Sequence, residues 1–438
     1  MSASEESAVS SSGRQFPYAL RAFRHRNFCL FFLGQFVSRV GYWMQGMAQG
    51  WLVYRLTESS FMLGMVSFAG QIPAVVLGLF AGVVADRFNR YRICMTTQTL
   101  FMIQALVLGF RTIYGHITEW EVFALALAAG ILQTFEMPAR QSFLQDIVGR
   151  EDLTSAIALN SALVNAARIL GPTFAGIIVA HSGEGECFTI NGICYLAIIG
   201  GFFAMRLPPQ PEARLAIVST STFIREGVSY AMHTPAVRLL LSFMGVLSLL
   251  STPYTVLMPV FAKDILHRGA DGMGLLMGAA GVGAVVSTIF LARNRDPNKL
   301  GRTIVTSLIR FGVGLILFSL SRNFWISMLL LPLVGSGFML PMSAANTLLQ
   351  TLTPDRLRGR VMSFFLMMVM GTPPLASLLS GVGASHLGAP LIVGITGVCC
   401  LASAIWFALR MHVLENVAGA DEEEPAETLR EEAVGSGR

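Results

Sequence analysis

Residues 35–49 set Gln35, Ser38, Arg39, Tyr42, Gln45 and Gln49 into an otherwise apolar run. At about 100° per residue of an α-helix, these six fall within about 120° of arc and form one polar stripe. A second apolar run holds Ser161, Asn165 and Arg168 within about 60°. A guanidinium presents a planar fork of donors that matches carboxylate or phosphate. The chemistry on offer is therefore recognition of an anionic or acceptor-rich small molecule, with the amides as further partners. Helix-to-helix hydrogen bonding is the alternative use of such glutamines, serines and asparagines. Acids are scarcer. Glu136 comes nearest to the middle of an apolar run. It either carries a proton or pairs with Arg140 at i+4. Arg39 and Arg168 thus stand without a matching central carboxylate, which predicts a cavity of positive or neutral-polar potential.

What must position these residues is an apolar frame. The chain has 438 residues, 53% apolar and 13% charged, with a mean hydropathy of +0.61. Soluble domains carry about 25% charged residues, and so much apolar surface needs lipid as its solvent. A membrane-spanning helix needs about 20 mostly apolar residues. Twelve segments qualify: 28–54, 61–84, 93–113, 120–137, 156–180, 187–205, 239–262, 272–292, 303–320, 324–347, 361–386 and 390–410. The expected fold is all-α and membrane-embedded, with two pseudo-symmetric six-helix bundles over 28–205 and 239–410. Residues 1–27 form a polar leading segment without the apolar stretch of a signal peptide. Residues 206–238 form a linker in which Ser221–Met232 is expected to lie as a helix on the membrane surface. Residues 411–438 form an acidic tail, expected to be disordered.

Charge sets the orientation. The connections on the side of the termini hold 23 Lys and Arg, and the opposite connections hold five. Basic loops stay cytoplasmic, so both termini are expected inside the cell membrane. The net charge of +5 then reflects topology and calls for no nucleic-acid partner. The motif Gly-Lys-Ser/Thr of ATP-driven pumps, His-Glu-x-x-His and Gly-x-Ser-x-Gly are all missing from the chain. The six cysteines follow no metal or disulfide spacing. No cofactor or metal is expected.

The segment "AGVVADRFNRYR", residues 81–92, gathers four charges between apolar stretches that have none. Its core, Gly82 to Arg90, resembles the loop signature Gly-x-Leu-Ala-Asp-Arg-x-Gly-Arg of the major facilitator superfamily. Asn89 replaces a glycine there and suits a left-handed turn. "GQFVSRVGYWMQGMAQGWLVYRLTES", "FEMPARQSFLQDIVGREDLTSAIALNSALVNAARILGPTFAG" and "TPDRLRGRVMSFFLMMVMG" resemble the branch of enterobactin exporters and macrolide-efflux proteins. The resemblance implies a monomeric exporter of a siderophore- or drug-like molecule by alternating access with proton antiport. It implies Gly82, Asp86, Arg87 and Arg90 as a conformational latch, with Asp86 docking near Arg358–Ser363 when the cavity faces outward. Capping a turn or pairing with Arg90 is the other use of Asp86. Glu136 stands where the family often has an acid. "ARILGPTFAG", with Gly171, Pro172 and Gly176, resembles the fifth-helix signature of antiporters. Related drug antiporters carry an arginine in helix 4, and 120–137 has none. A lysophospholipid flippase or an uncoupled facilitator of the same fold is the nearest alternative. A membrane-embedded enzyme or sensor would need a reactive cluster or soluble domain that the sequence does not offer.

Overall fold

The computed structural model describes residues 18–206, 229–293 and 297–412, and every regular element in them is helical. A short 3-10 helix, Tyr18–Arg24, precedes α1, Arg26–Thr57. It is pinned to the protein, since His25 Nε2 and Arg24 Nε each lie 2.7 Å from the buried carboxylate of Asp152. α2 spans Ser60–Arg87 and α3 spans Arg90–Ile113. Only Phe88 and Asn89 separate them. Asn89 is extended, with φ −61°, and its side chain caps α3 by accepting from the Arg92 N–H at 3.1 Å. The expected left-handed turn is absent here because the side-chain oxygen satisfies a free helix-end donor instead.

Helix Glu119–His181 runs for 63 residues. At 1.5 Å per residue that is about 95 Å, three times the hydrocarbon thickness. Gly149, at φ 72° and ψ 176°, breaks it. The two arms are α4 (119–148) and α5 (150–181). The stretch 138–155, expected to be a loop, is thus helical on both sides of one glycine. Then follow α6, Glu184–Ala204, and α7, Pro235–Ile265, which is interrupted at Thr252 and Leu257 and ends in a π-helical turn, Phe261–Ile265. α8 spans Ala270–Arg293, α9 Pro297–Leu320, α10 Phe324–Leu352, α11 Asp355–Leu387 and α12 Ala389–Leu409.

Among the described residues, ten helices are long and apolar enough to cross a membrane, counting Glu119–His181 as one. Dividing that helix at Gly149, and adding α1 with its polar stripe, gives twelve. Of the linker, residues 206 and 229–238 are described: 229–233 is helical and 235–238 opens α7. Most of the expected surface helix and nearly all of the tail lie outside the described residues.

Helix pairing repeats between the halves: α2 lies along α4 as α8 along α10, and α3 along α6 as α9 along α12. The halves join through α2 with α11 and α5 with α8. Both joints are glycine crossings. A Cβ on Gly64 would stand 2.6 Å from the Ser377 carbonyl, and one on Gly176 would stand 2.8 Å from the Ala270 carbonyl. Small residues let backbones approach this closely. Both crossings lie near the face remote from the helix ends at residues 26 and 409, here the distal face. Toward the termini face, Gly78 and Gly82 of α2 and Gly359 and Gly371 of α11 have nothing within 4 Å of an added Cβ. α2 and α11 thus meet closely at the distal face, through Gly64 and Gly381, and toward the termini face none of these four glycines meets a neighbouring helix. Gly274 and Gly278 behave differently from Gly78 and Gly82, being packed against Pro172 and Thr173 of α5.

Candidate functional site

Arg39 of α1 does have a carboxylate partner. Its Nη2 lies 3.1 Å from both oxygens of Glu136 on α4, and Arg140 Nε lies 2.8 Å from Glu136 Oε1. Glu136 is 1% exposed and Arg39 9%. The expectation of an unmatched Arg39 fails because Glu136, at the inner end of the expected span 120–137, faces α1. α4 also continues past residue 137, which adds Arg140 one turn on. α4 thus carries the arginine that 120–137 lacked. Gln98 of α3 donates to Glu136 Oε1 at 3.3 Å, and Ser38 donates to Gln98 at 3.4 Å. With the Gln35 amide oxygen turned to Arg39, it accepts from Nε at 2.7 Å. Two guanidiniums, one carboxylate and three neutral polar groups form a closed network inside the first half.

A second network lies further along the same stripe. Gln45 donates to Gln104 of α3 at 3.0 Å and accepts from Asn191 of α6 at 2.6 Å. Gln35, Arg39 and Gln45 were expected to line a substrate cavity. They turn into the helix bundle instead and bind α1 to α3, α4 and α6. A buried amide or charge without a partner is costly in an apolar interior, so helix contacts claim them. Gln98, Gln104 and Asn191 were not singled out from the sequence, although two glutamines in an apolar α3 run are a visible signal. Tyr42 remains exposed, with Arg39 Cζ 5.6 Å from its ring, and Gln49 is half-buried. Asn165 donates to its own helix at Ser161.

Arg168 is placed otherwise. It lies on α5, half-buried, with its Cζ 5.1 Å from the Trp43 ring of α1. Its Nη1 reaches Met339 Sδ of α10, in the other half, at 3.4 Å. Its Nε is buried without a hydrogen-bond partner, and among the described residues no carboxylate pairs with it. Arg168 is thus the cation of the stripes that stands between the halves. Close to it, Gly171 presses against α1, where a Cβ would stand 2.4 Å from that of Trp43. Gly176 and Pro172 pack against α8. The fifth-helix motif therefore fixes α5 against both halves.

The distal face is bound by polar contacts between the halves. Tyr54 Oη donates to Asp264, and Lys263 Nζ donates to Glu58 at 2.7 Å. Lys263 and Asp264 both lie in the π-helical turn. Ser67 and Gln71 of α2 meet Ser377 Oγ of α11 at 3.0 and 3.1 Å. The Lys263 ammonium holds the Glu58 carboxyl below the usual carboxylate range. On the termini face, Asp86 and Arg87 are exposed, and Asp86 has no ion-pair partner among the described residues. Arg90 pairs with Asp146 of α4 at 2.9 Å, so the alternative pairing of Asp86 with Arg90 is not the one observed.

Two halves of repeated helix pairing, joined at one face and parted at the other, define a major facilitator transporter. Residues 18–435 match the model of the transmembrane secretion effector family, and the chain belongs to that branch of the major facilitator superfamily. It is 24% identical to the staphyloferrin A transporter of Staphylococcus aureus over 87% of this chain and 96% of that protein. It is also 24% identical to the multidrug efflux pump Tap of Mycolicibacterium fortuitum, over 77% of this chain and 84% of that one. The enterobactin exporter EntS of Citrobacter koseri shows 24% identity, over 82% of this chain and 86% of that one. Among solved structures, an inward-facing, unoccupied bacterial homologue of the lysosomal transporter Spinster superposes with a TM-score of 0.69 at 13% identity, covering 92% of this chain and 99% of that one. A POT family transporter in complex with 5-aminolevulinic acid gives 0.72 at 11%, covering 89% and 97%.

Proposed function

We propose that the protein exports an anionic or acceptor-rich small molecule, siderophore- or drug-like, across the cell membrane by alternating access with proton antiport, and that it works as a monomer. The observation that carries the reading is the geometry of the two halves: closed by glycine crossings and polar pairs at the distal face, parted toward the termini. With the basic loops cytoplasmic, this is the state that loads from the cytoplasm. Arg168 then replaces Arg39 as the cation offered to cargo, since Arg39 is held by Glu136 and, among the described residues, no acid pairs with Arg168. Trp43, Tyr42 and Met339 supply apolar and polarizable surface for the rest of the molecule. The relatives named for staphyloferrin A, enterobactin and drug efflux support cargo of this kind.

Glu136 is the proposed proton carrier. It can take a proton only when Arg39 or Arg140 finds another partner, so protonation is tied to rearrangement among α1, α3 and α4. Asp86 is the proposed latch of the opposite state, meeting the N-terminal end of α11, where free N–H groups favour a carboxylate. The test is accumulation of a radiolabelled catecholate or carboxylate siderophore in everted membrane vesicles with an imposed proton gradient. Uptake should collapse on adding a protonophore with ATP held constant. Accumulation that persists without the gradient would reject antiport, and mere equilibration would point to a facilitator.

A further inference from the structure

At the termini face, the start of α7 and the end of α12 enclose a cavity of about 250 Å³ lined by Pro235, Arg238, Leu239, Ser242, Trp406 and Arg410. Two cations from different helices converge there. Arg410 Cζ lies 5.3 Å from the Trp406 ring, and the Arg238 guanidinium donates to the Met232 carbonyl at 3.3 Å. Among the described residues, neither arginine has a carboxylate partner. Ser242 is exposed and adds a hydroxyl. Behind the cavity, the buried Phe243 and Phe407 join the two helices with rings 5.0 Å apart.

The repeat in the fold supplies a comparison within the same molecule. The corresponding corner of the first half lies between the start of α1 and the end of α6, and it is sealed. Arg26 donates to the Ala204 carbonyl at 3.1 Å, and Asn27 donates to the Arg206 carbonyl at 2.9 Å. α1 and α6 are so close that a Cβ on Gly34 would stand 2.7 Å from Ile198 Cα. The α7–α12 contact is much slighter. One corner spends its polar groups on the neighbouring backbone, and the other leaves two guanidiniums facing a hollow.

That hollow lies at the level where a membrane changes from hydrocarbon to head groups. Trp406 is of the type that favours this boundary, and Ile405 and Leu409 beside it are 62% and 74% exposed on the surface of α12. A ligand here would have its charged part between Arg238 and Arg410 and its apolar part along Ile405 and Leu409. We propose that this corner binds the phosphodiester head group of an anionic phospholipid from the leaflet at the termini face. The phosphate oxygens accept from both guanidinium forks and from the Ser242 hydroxyl, and the acyl chains follow α12. Basic pockets between membrane helices are suited to such head groups.

The experiment uses the full-length protein in mild detergent and native mass spectrometry with added phosphatidylglycerol or phosphatidylcholine. Phosphatidylglycerol should remain bound to the wild type, and the Arg238→Gln/Arg410→Gln variant should bind it roughly 30-fold more weakly, as expected for two basic residues near an anionic lipid. Arg238→Lys/Arg410→Lys should retain most of the binding, and Arg26→Gln, at the sealed corner, should change nothing. Equal retention of phosphatidylcholine, or unchanged phosphatidylglycerol binding by the glutamine variant, would overturn the proposal. Displacement of the lipid by millimolar inorganic phosphate would assign the corner to a free anion and overturn it as a lipid site. If the glutamine variant yields no folded protein, the lysine variant decides: loss of phosphatidylglycerol binding at unchanged charge and normal yield rejects a charge-read site.

Discussion

Glu136 stands between two arginines of different helices, 3.1 Å from Arg39 Nη2 and 2.8 Å from Arg140 Nε. Removing one member of a buried ion pair leaves its partner uncompensated, at a cost of about 3–5 kcal/mol. Glu136→Gln should therefore lower the thermal midpoint of the purified protein and abolish gradient-driven transport. Arg39→Gln added to it should restore part of the midpoint and none of the transport. A Glu136→Gln protein with wild-type midpoint and wild-type accumulation would remove this triad from both stability and coupling.

Arg168 carries the prediction about cargo. Arg168→Gln should raise the apparent KM for an anionic substrate by roughly 10-fold or more, as for a lost charge-assisted contact. Protein level should hold, because no ion pair is broken. Arg168→Lys should recover only part, since it lacks the planar fork. Transport assays at graded substrate concentration separate KM from kcat. A preference of the wild type for permanent cations would sink this assignment.

The membrane fold was legible because it is written in composition. Long charge-free runs mark the spans, and their even number puts both termini on one face. The partner of Arg39 was harder to read. Apolar windows place the end of α4 at residue 137, where Pro138, Arg140 and Gln141 lower the hydropathy. Yet the helix runs on to Gly149, since Pro138 is tolerated inside it and the polar turns that follow leave the hydrocarbon. Periodicity likewise places Gln35, Arg39 and Gln45 on one stripe without stating whether that stripe faces the cavity or the other helices. That choice depends on Gln98, Gln104 and Asn191, far away in sequence. Arg168, which no acid pairs with among the described residues, stands half-buried between the halves, and periodicity alone could not place Met339 of the other half beside it.

Among the described residues Asp86 makes no ion pair, and its proposed partner is the start of α11. Asp86→Asn should weaken the opposite state and so favour the present one. A Ser67→Cys/Ser377→Cys pair in a cysteine-free background reports this state, because the two hydroxyls lie 3.0 Å apart. Oxidative cross-linking of that pair should rise with Asp86→Asn while transport falls. Unchanged cross-linking and full transport would exclude a latch at Asp86.

The Glu58–Lys263 pair gives a pH dependence of stated sign. Lys263 lowers the Glu58 carboxyl, so the contribution is present above the ordinary carboxylate range and is lost as pH falls through the lowered value. Closure of the distal face should be flat around neutrality and loosen only on the acid side of the ordinary carboxylate range. The effect should be small, because Glu58 is exposed and solvent screens the pair. The same cross-linking yield, followed against external pH, measures it. Lys263→Met should remove the acid-side change, and a midpoint near neutrality would assign the response to another group.

The glycine crossing of α5 and α8 sets whether the distal face can close at all. A Cβ at Gly176 would stand 2.8 Å from the Ala270 carbonyl and 3.0 Å from Gly274 Cα, both backbone atoms that cannot rotate away. Gly176→Val must therefore push α8 off α5 in the closed state and has no such clash once the halves part there. Overpacking of this kind costs about 1–3 kcal/mol, which shifts a two-state equilibrium roughly 5- to 150-fold. The expected result is a large fall in Ser67→Cys/Ser377→Cys cross-linking, at the other joint between the halves, with normal protein yield and little transport. Gly78→Val on α2, where nothing lies within 4 Å, should leave the cross-linking intact. If Gly176→Val cross-links as well as the parent, the two joints do not open together, and rigid rocking of one half against the other is the wrong description of the motion.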